Sequence, residues 1–137
     1  MNIMVKKTKL LTNKAEQLAE EFGMIGTYQT VGLDKIDISK VMEGCNKLSI
    51  MHFVFEDMKK KLHNSSLKAG EGKKIKGVAI HIKGGKDLST LQSMEVVENV
   101  SNIVPKATIV WGATANGNGK RVMVTAILGV HDKSPNL

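Results

Sequence analysis

Gly77-Val78-Ala79-Ile80-His81-Ile82-Lys83-Gly84-Gly85-Lys86-Asp87-Leu88 is the stretch whose reading decides the fold class. Residues 77–82 are a short apolar, β-branched run, the composition of a strand. The Gly84-Gly85 pair predicts a turn. Beyond it, Leu88–Val104 is the strongest helical segment of the chain. Leu91, Met94, Val97, Val100 and Val104 are assigned to its core face, and Asp87 or Ser89 to its cap. Pro105 stops this helix, and Ala107–Ala113 reads as the next strand. A strand, a helix and a strand in succession place the chain among α/β proteins.

The flanking segments extend that pattern. Downstream, Arg121–Val130 alternates like a strand, and Thr114-Ala115-Asn116-Gly117-Asn118-Gly119-Lys120 predicts a hairpin joining it to the strand before. Upstream, Leu48–Phe55 is rich in β-branched and aromatic residues and reads as a strand. Residues 56–68 read as a helix with Met58 and Leu62 inward, and 69–74 as a glycine-containing loop. Near the N-terminus, Leu11, Ala15, Leu18 and Phe22 recur at helical spacing, so residues 11–25 predict a helix that Gly23 ends, after a frayed arm or edge segment of ten residues. A loop over 26–37 leads to a short helix over 38–44, with Asp37 as its cap and Ile38, Val41 and Met42 inward. The expected fold is α/β (α+β), a four-stranded mixed sheet with helices packed against it. Residues 131–137 are polar and read as a mobile tail.

Composition narrows the function. The 137 residues suit one domain, and 42% hydrophobic content supplies a core without disulfides, for which a lone Cys45 is insufficient. No run is long and apolar enough for a membrane span, and no secretory signal precedes residue 11, so a cytoplasmic location is expected. The net charge of +7 invites a nucleic-acid reading. However, only Arg121 among the 20 basic residues is arginine, and aromatics are 4% of the chain. Base readout leans on bidentate arginine and single-strand binding on stacked aromatics, so no specific nucleic-acid binding is expected. The lysine cluster at Lys59, Lys60 and Lys61, with Lys68, Lys73, Lys74 and Lys76, is the place for an acidic partner.

Catalytic signatures are sparse. A phosphate-binding loop needs a glycine, four residues and Gly-Lys-Ser/Thr ahead of a helix. Here Gly119-Lys120 is followed by Arg121 and a strand, so the loop is rejected. His52, His63, His81 and His131 share no helical spacing and make no metal signature. Cys45 has no activating base nearby in sequence and reads as a buried thiol. Asp34 and Asp37 remain: three residues apart at a loop-to-helix junction, they serve either as a cap and a solvated acid or as a pair acting on a shared target.

Gly32-Leu33-Asp34-Lys35-Ile36-Asp37-Ile38-Ser39-Lys40-Val41-Met42 resembles the acidic loop and following helix of FtsZ, the prokaryotic tubulin homologue. The family pattern there is Asn-x-Asp-x-x-Asp, then an apolar residue and a Val-Met pair. Its acids fall on Asp34 and Asp37, and its asparagine position holds Gly32. Asn64-Ser65-Ser66-Leu67, the strand–turn–helix unit at 77–88, Ala107–Ala113 and Arg121–Thr125 resemble further parts of the same C-terminal domain. The archaeal members look nearest. The resemblance covers residues 31–130, with 1–30 as an N-terminal arm and helix standing for the end of the inter-domain helix.

That resemblance implies a division of labour. The tandem-glycine GTP-binding signature is absent, so the chain is expected to bind no cofactor and to be no enzyme alone. In the family, the acidic loop of one subunit meets the GTP of the next. By resemblance, Asp34 and Asp37 are candidate catalytic residues in trans, on the GTP of a partner tubulin-like GTPase. Gly32, Lys35, Lys59, Lys60 and Lys61 are candidate partner contacts. The expected role is a module that modulates or caps the polymer of a cell-division or cytoskeletal GTPase. The alternatives are a self-associating homo-oligomeric module and a C-terminal fragment of a polymerising GTPase.

Overall fold

The structure, a computed structural model, describes residues 4–25, 31–55, 75–117 and 121–131. Its elements are α1 (Met4–Glu21), α2 (Lys35–Val41), β1 (Lys47–Phe55), β2 (Ile75–Gly85), α3 (Thr90–Ile103), β3 (Thr108–Gly117) and β4 (Val122–Val130). The four strands form one mixed sheet in the order β1-β4-β2-β3. β4 runs antiparallel to both neighbours, while β2 and β3 are parallel. Parallel neighbours need a crossover connection rather than a tight turn, and α3 supplies it.

The sheet is covered on both faces. Val78, Ile80, Ile82, Val122, Val124 and Leu128 turn to the α3 side, where they bury Val96, Val100 and Val104. Ala79 and Ile127 turn the other way and pack with Ala15 and Ala19 of α1 and Ile38, Val41 and Met42 of α2. Alternate residues of one strand therefore feed two different cores, which is why β2 and β4 are apolar almost throughout. The expected four-stranded mixed sheet with packed helices is the observed one.

Several boundaries differ from expectation. The N-terminal helix begins at Met4, so residues 4–10 are helical and no frayed arm occupies them. It ends as foreseen at Gly23, with φ +67°. The Met24 amide donates to the Ala19 carbonyl at 2.8 Å and the Gly23 amide to the Glu20 carbonyl at 3.1 Å. This double closure needs a left-handed residue, which glycine adopts without a Cβ penalty. Phe22 falls past the helix end and is exposed, so it does not extend the core face. Gly84 and Gly85 are the last residues of β2, and the turn follows at 86–87.

The foreseen hairpin is absent. β3 continues to Gly117, and β2 lies between β3 and β4. The connecting glycines promise a reversal of direction, but they do not state which strands pair after it. The helix assigned to 56–68, the loop at 69–74 and the tail beyond 131 lie outside the described residues.

The inward face of α3 also differs. Ser93, Val96 and Val100 are buried, while Leu91 and Met94 are exposed. A helix turns about 100° per residue, so Leu91 and Val100, nine residues apart, point to opposite sides. A stripe read in steps of three drifts around the helix. Of the two candidate caps, Ser89 is the one used: its Oγ accepts from the Gln92 amide at 3.1 Å, and Gln92 Oε1 accepts from the Ser89 amide at 2.9 Å.

His81 sits inside the sheet, 4% exposed, and shares a hydrogen bond of 2.9 Å between its Nε2 and Thr114 Oγ1. Burial lowers its pKa to about 4, helped by the nearby positive charge of Lys83. An unfolded histidine titrates near 6.5. The neutral ring is therefore favoured in the folded state, and the unfolded state binds the extra proton between these values. Stability should be intact above pH 6.5 and fall as pH drops towards 4, by at most roughly 3 kcal/mol from this group. Urea midpoints at pH 7 and 4.5 measure the fall, and His81→Gln should flatten this part of the slope.

Candidate functional site

The acid pair lies where α1, α2 and the edge of the sheet meet. Before α2, Val31 makes an antiparallel bridge to Ala113, with amide–carbonyl distances of 3.2 and 2.9 Å. Leu33 is buried, and Gly32 between them is exposed. The loop is thus pinned to β3 at one end and anchored in the core one step later. Asp34 follows at the surface.

Asp34, not Asp37, caps the helix, and α2 starts one turn earlier than expected, at Lys35. Asp34 Oδ1 accepts from the Asp37 amide at 2.9 Å, and Asp37 Oδ2 accepts from the Asp34 amide at 3.3 Å. The cap is reciprocal, which an acid at both the cap and the third helical position permits. Each carboxylate commits one oxygen to the cap and keeps the other outside it. Asp34→Ala should destabilise the protein by about 1 kcal/mol, whereas Asp34→Asn should keep the cap nearly intact. Chemical denaturation of the two variants compares these values directly.

α1 holds this corner from the side. Lys35 Nζ pairs with Glu20 Oε1, and Ser39 Oγ donates to Glu16 Oε1. The hydrogen bond that Lys35 donates to Glu20 raises the pKa of Lys35, with a further contribution from the negative charge of Glu20. The candidate partner contact Lys35 is therefore tied to α1, although half its side chain remains exposed. Asp34, Asp37, Gly32 and Lys35 share one corner. Lys59, Lys60 and Lys61 lie outside the described residues.

Three glycines on one sheet face let α2 and its loop sit directly on the strands. Gly77 and Gly129 are cross-strand partners in β2 and β4. A Cβ at Gly77 would overlap the Val41 carbonyl oxygen and lie 2.7 Å from its carbon. One at Gly129 would come within 2.6 Å of both Cys45 Sγ and Met42 Sδ. At Gly112 the neighbour is Leu33 Cβ, again at 2.6 Å. Cys45 is fully buried in this contact, as expected, and burial raises its thiol pKa.

Sequence reasoning missed Glu16 and Glu20, which fix α2, because nothing local links them to residues 35–39. It also missed Ile36, 65% exposed between the two acids. A groove of about 350 Å³ runs beside Asp37, lined by Lys40, Val41, Lys76 and Val110 among others. No cluster of three potential metal-ligating side chains occurs among the described residues. No described helix is long and apolar enough to cross a membrane.

This fold is that of the C-terminal domain of the tubulin/FtsZ family. Within that class the chain is FtsZ-like. An FtsZ dimer from M. jannaschii, solved empty, is 25% identical with a TM-score of 0.63, over 82% of this chain and 38% of that one. A point mutant of M. jannaschii FtsZ is 27% identical with a TM-score of 0.65, over 88% and 38% of the respective chains. CetZ from Methanosaeta thermophila shares the fold at 14% identity, with a TM-score of 0.56 over 84% and 34%. The chain thus spans well under half the length of these relatives. No protein-family profile and no curated protein matches it.

Proposed function

We infer that this chain is a docking module for a tubulin-like GTPase, which it meets through the corner formed by the loop before α2 and the first turn of that helix. The observation that carries this reading is the acid pair of exposed Asp34 and half-buried Asp37, joined by a reciprocal cap on an FtsZ-like fold. The FtsZ it resembles was solved as a dimer, which supports a meeting with a second subunit. The free oxygens of the pair suit polarising a water against a partner's GTP, a task that asks for positioned acceptors. GTP is then the partner's ligand, and the chain alone hydrolyses nothing. Docking at this corner caps or modulates the partner's polymer, a role in cell division or the cytoskeleton that fits a cytoplasmic protein.

Exposed Ile36 beside the acids supports the same reading, since an apolar side chain amid charges provides the buried centre of a contact. The test is to titrate the chain into a polymerising FtsZ, following both GTP turnover and polymer pelleted. Co-pelleting with a change in turnover is the expected outcome. Polymer that forms, turns over and sediments unchanged at saturating chain would defeat the reading.

A further inference from the structure

The two edges of the sheet are finished differently. β3 lies at one edge, and there Val31 bridges to Ala113. β1 lies at the other, and among the described residues no strand borders its outer side. An unpaired edge offers amides and carbonyls that a further strand can take, and proteins usually blunt it. The devices are a short strand, a proline, a bulge or a charge placed part-way along.

β1 has none of them. It runs nine residues, Lys47–Phe55, where about five or six is usual. It contains no proline, and its register with β4 is unbroken from end to end. Of the chain's 20 basic residues it holds one, Lys47, at its first position, and it holds no acid.

The side chains of this edge match a second copy of it. Alternate residues share a face, so Leu48, Ile50, His52 and Val54 stand on one side of β1. Leu48 packs against the core beneath α1 and α2. Farther along, Ile50 is 37% exposed and Val54 47%, with exposed His52 midway between them. The His52 ring is held by a hydrogen bond of 2.9 Å between its Nδ1 and Thr125 Oγ1. An antiparallel pair centred on His52 sets Ile50 of each copy directly opposite Val54 of the other. Two β-branched cross-strand pairs result, one on each side of the axis. The two Lys47 residues point to opposite ends, roughly 34 Å apart, so like charges never meet.

We propose that two copies pair β1 against β1, antiparallel about a two-fold axis at His52, and so join their sheets edge to edge. The contact is isologous, so it closes at the dimer and leaves no end for growth. It uses the edge away from β3, to which the loop before α2 is pinned, and leaves that corner open. A single strand pair falls well short of the roughly 800 Å² per partner of a stable interface, so the dimer is weak.

Sedimentation equilibrium of the full chain, from micromolar to near-millimolar concentration, tests this. No GTPase is present, so the result is independent of the docking corner proposed above. The weight-average mass should rise from 14.9 kDa and level off at twice that value. I50K with V54K opposes positive charges at both contacts and should hold the chain at the monomer mass. I50E with V54K instead places opposite charges face to face in this register, and should recover the dimer. Circular dichroism of the two variants should match the wild type, since both positions are exposed. The plateau itself is read on the unaltered chain and needs no variant to fold. A wild type that stays monomeric or grows past the dimer would overturn the proposal, as would two variants that associate alike.

Discussion

Gly77→Ala is expected to destabilise the protein by about 3 kcal/mol, the upper part of the range for overpacking a filled interior. The added methyl group would overlap the carbonyl oxygen of Val41, which belongs to backbone and cannot rotate away. Relief requires lifting α2 from the sheet, which opens the packing of Val41, Met42 and Ile38. The acid pair rides on the first turn of that helix, so the corner should move too. A fall in Tm of roughly 10 °C is the expected reading for a domain of this size. Gly32→Ala is the control: nothing lies within 4 Å of a Cβ there, and its stability should match the wild type within about 0.5 kcal/mol. If the Gly77 variant melted with the wild type, the seating of α2 on bare backbone would be wrong.

Asp34→Asn with Asp37→Asn carries the largest functional effect. Asparagine accepts the same amide hydrogens, so the cap and the fold should survive. What disappears is the negative charge that polarises a water at a partner's nucleotide. Assistance of that kind is typically worth about 10²–10⁴-fold. Stimulation of a tubulin-like GTPase should therefore fall by about 100-fold or more, while co-pelleting with its polymer persists. Persistent stimulation in the double variant would reduce the two acids to a helix cap. The alanine pair is a poorer probe, because it removes the cap and the charge together.

Some elements were legible because their causes are local. The end of α1 at Gly23 follows from one residue that tolerates positive φ, and the cap of α3 was narrowed to Asp87 or Ser89, of which Ser89 stands three residues before a glutamine. The acid pair was legible as a candidate for the same reason. Its helix was placed a turn late, although Asp34 and Asp37 already have the spacing of a reciprocal cap.

Chain order and periodicity by themselves determined an α/β protein with four strands and two acids at the mouth of a short helix, while matched motifs carried the resemblance to the FtsZ C-terminal domain. Only the tertiary structure decided that β2 separates β3 from β4, and that Gly77, Gly112 and Gly129 form the floor beneath α2 and its loop. It also decided that Glu16 and Glu20 brace α2 from α1. Caps and turns are settled by groups a few residues apart. Strand neighbours and helix seats join residues dozens of positions apart, which meet only after the chain has closed around both faces of its sheet.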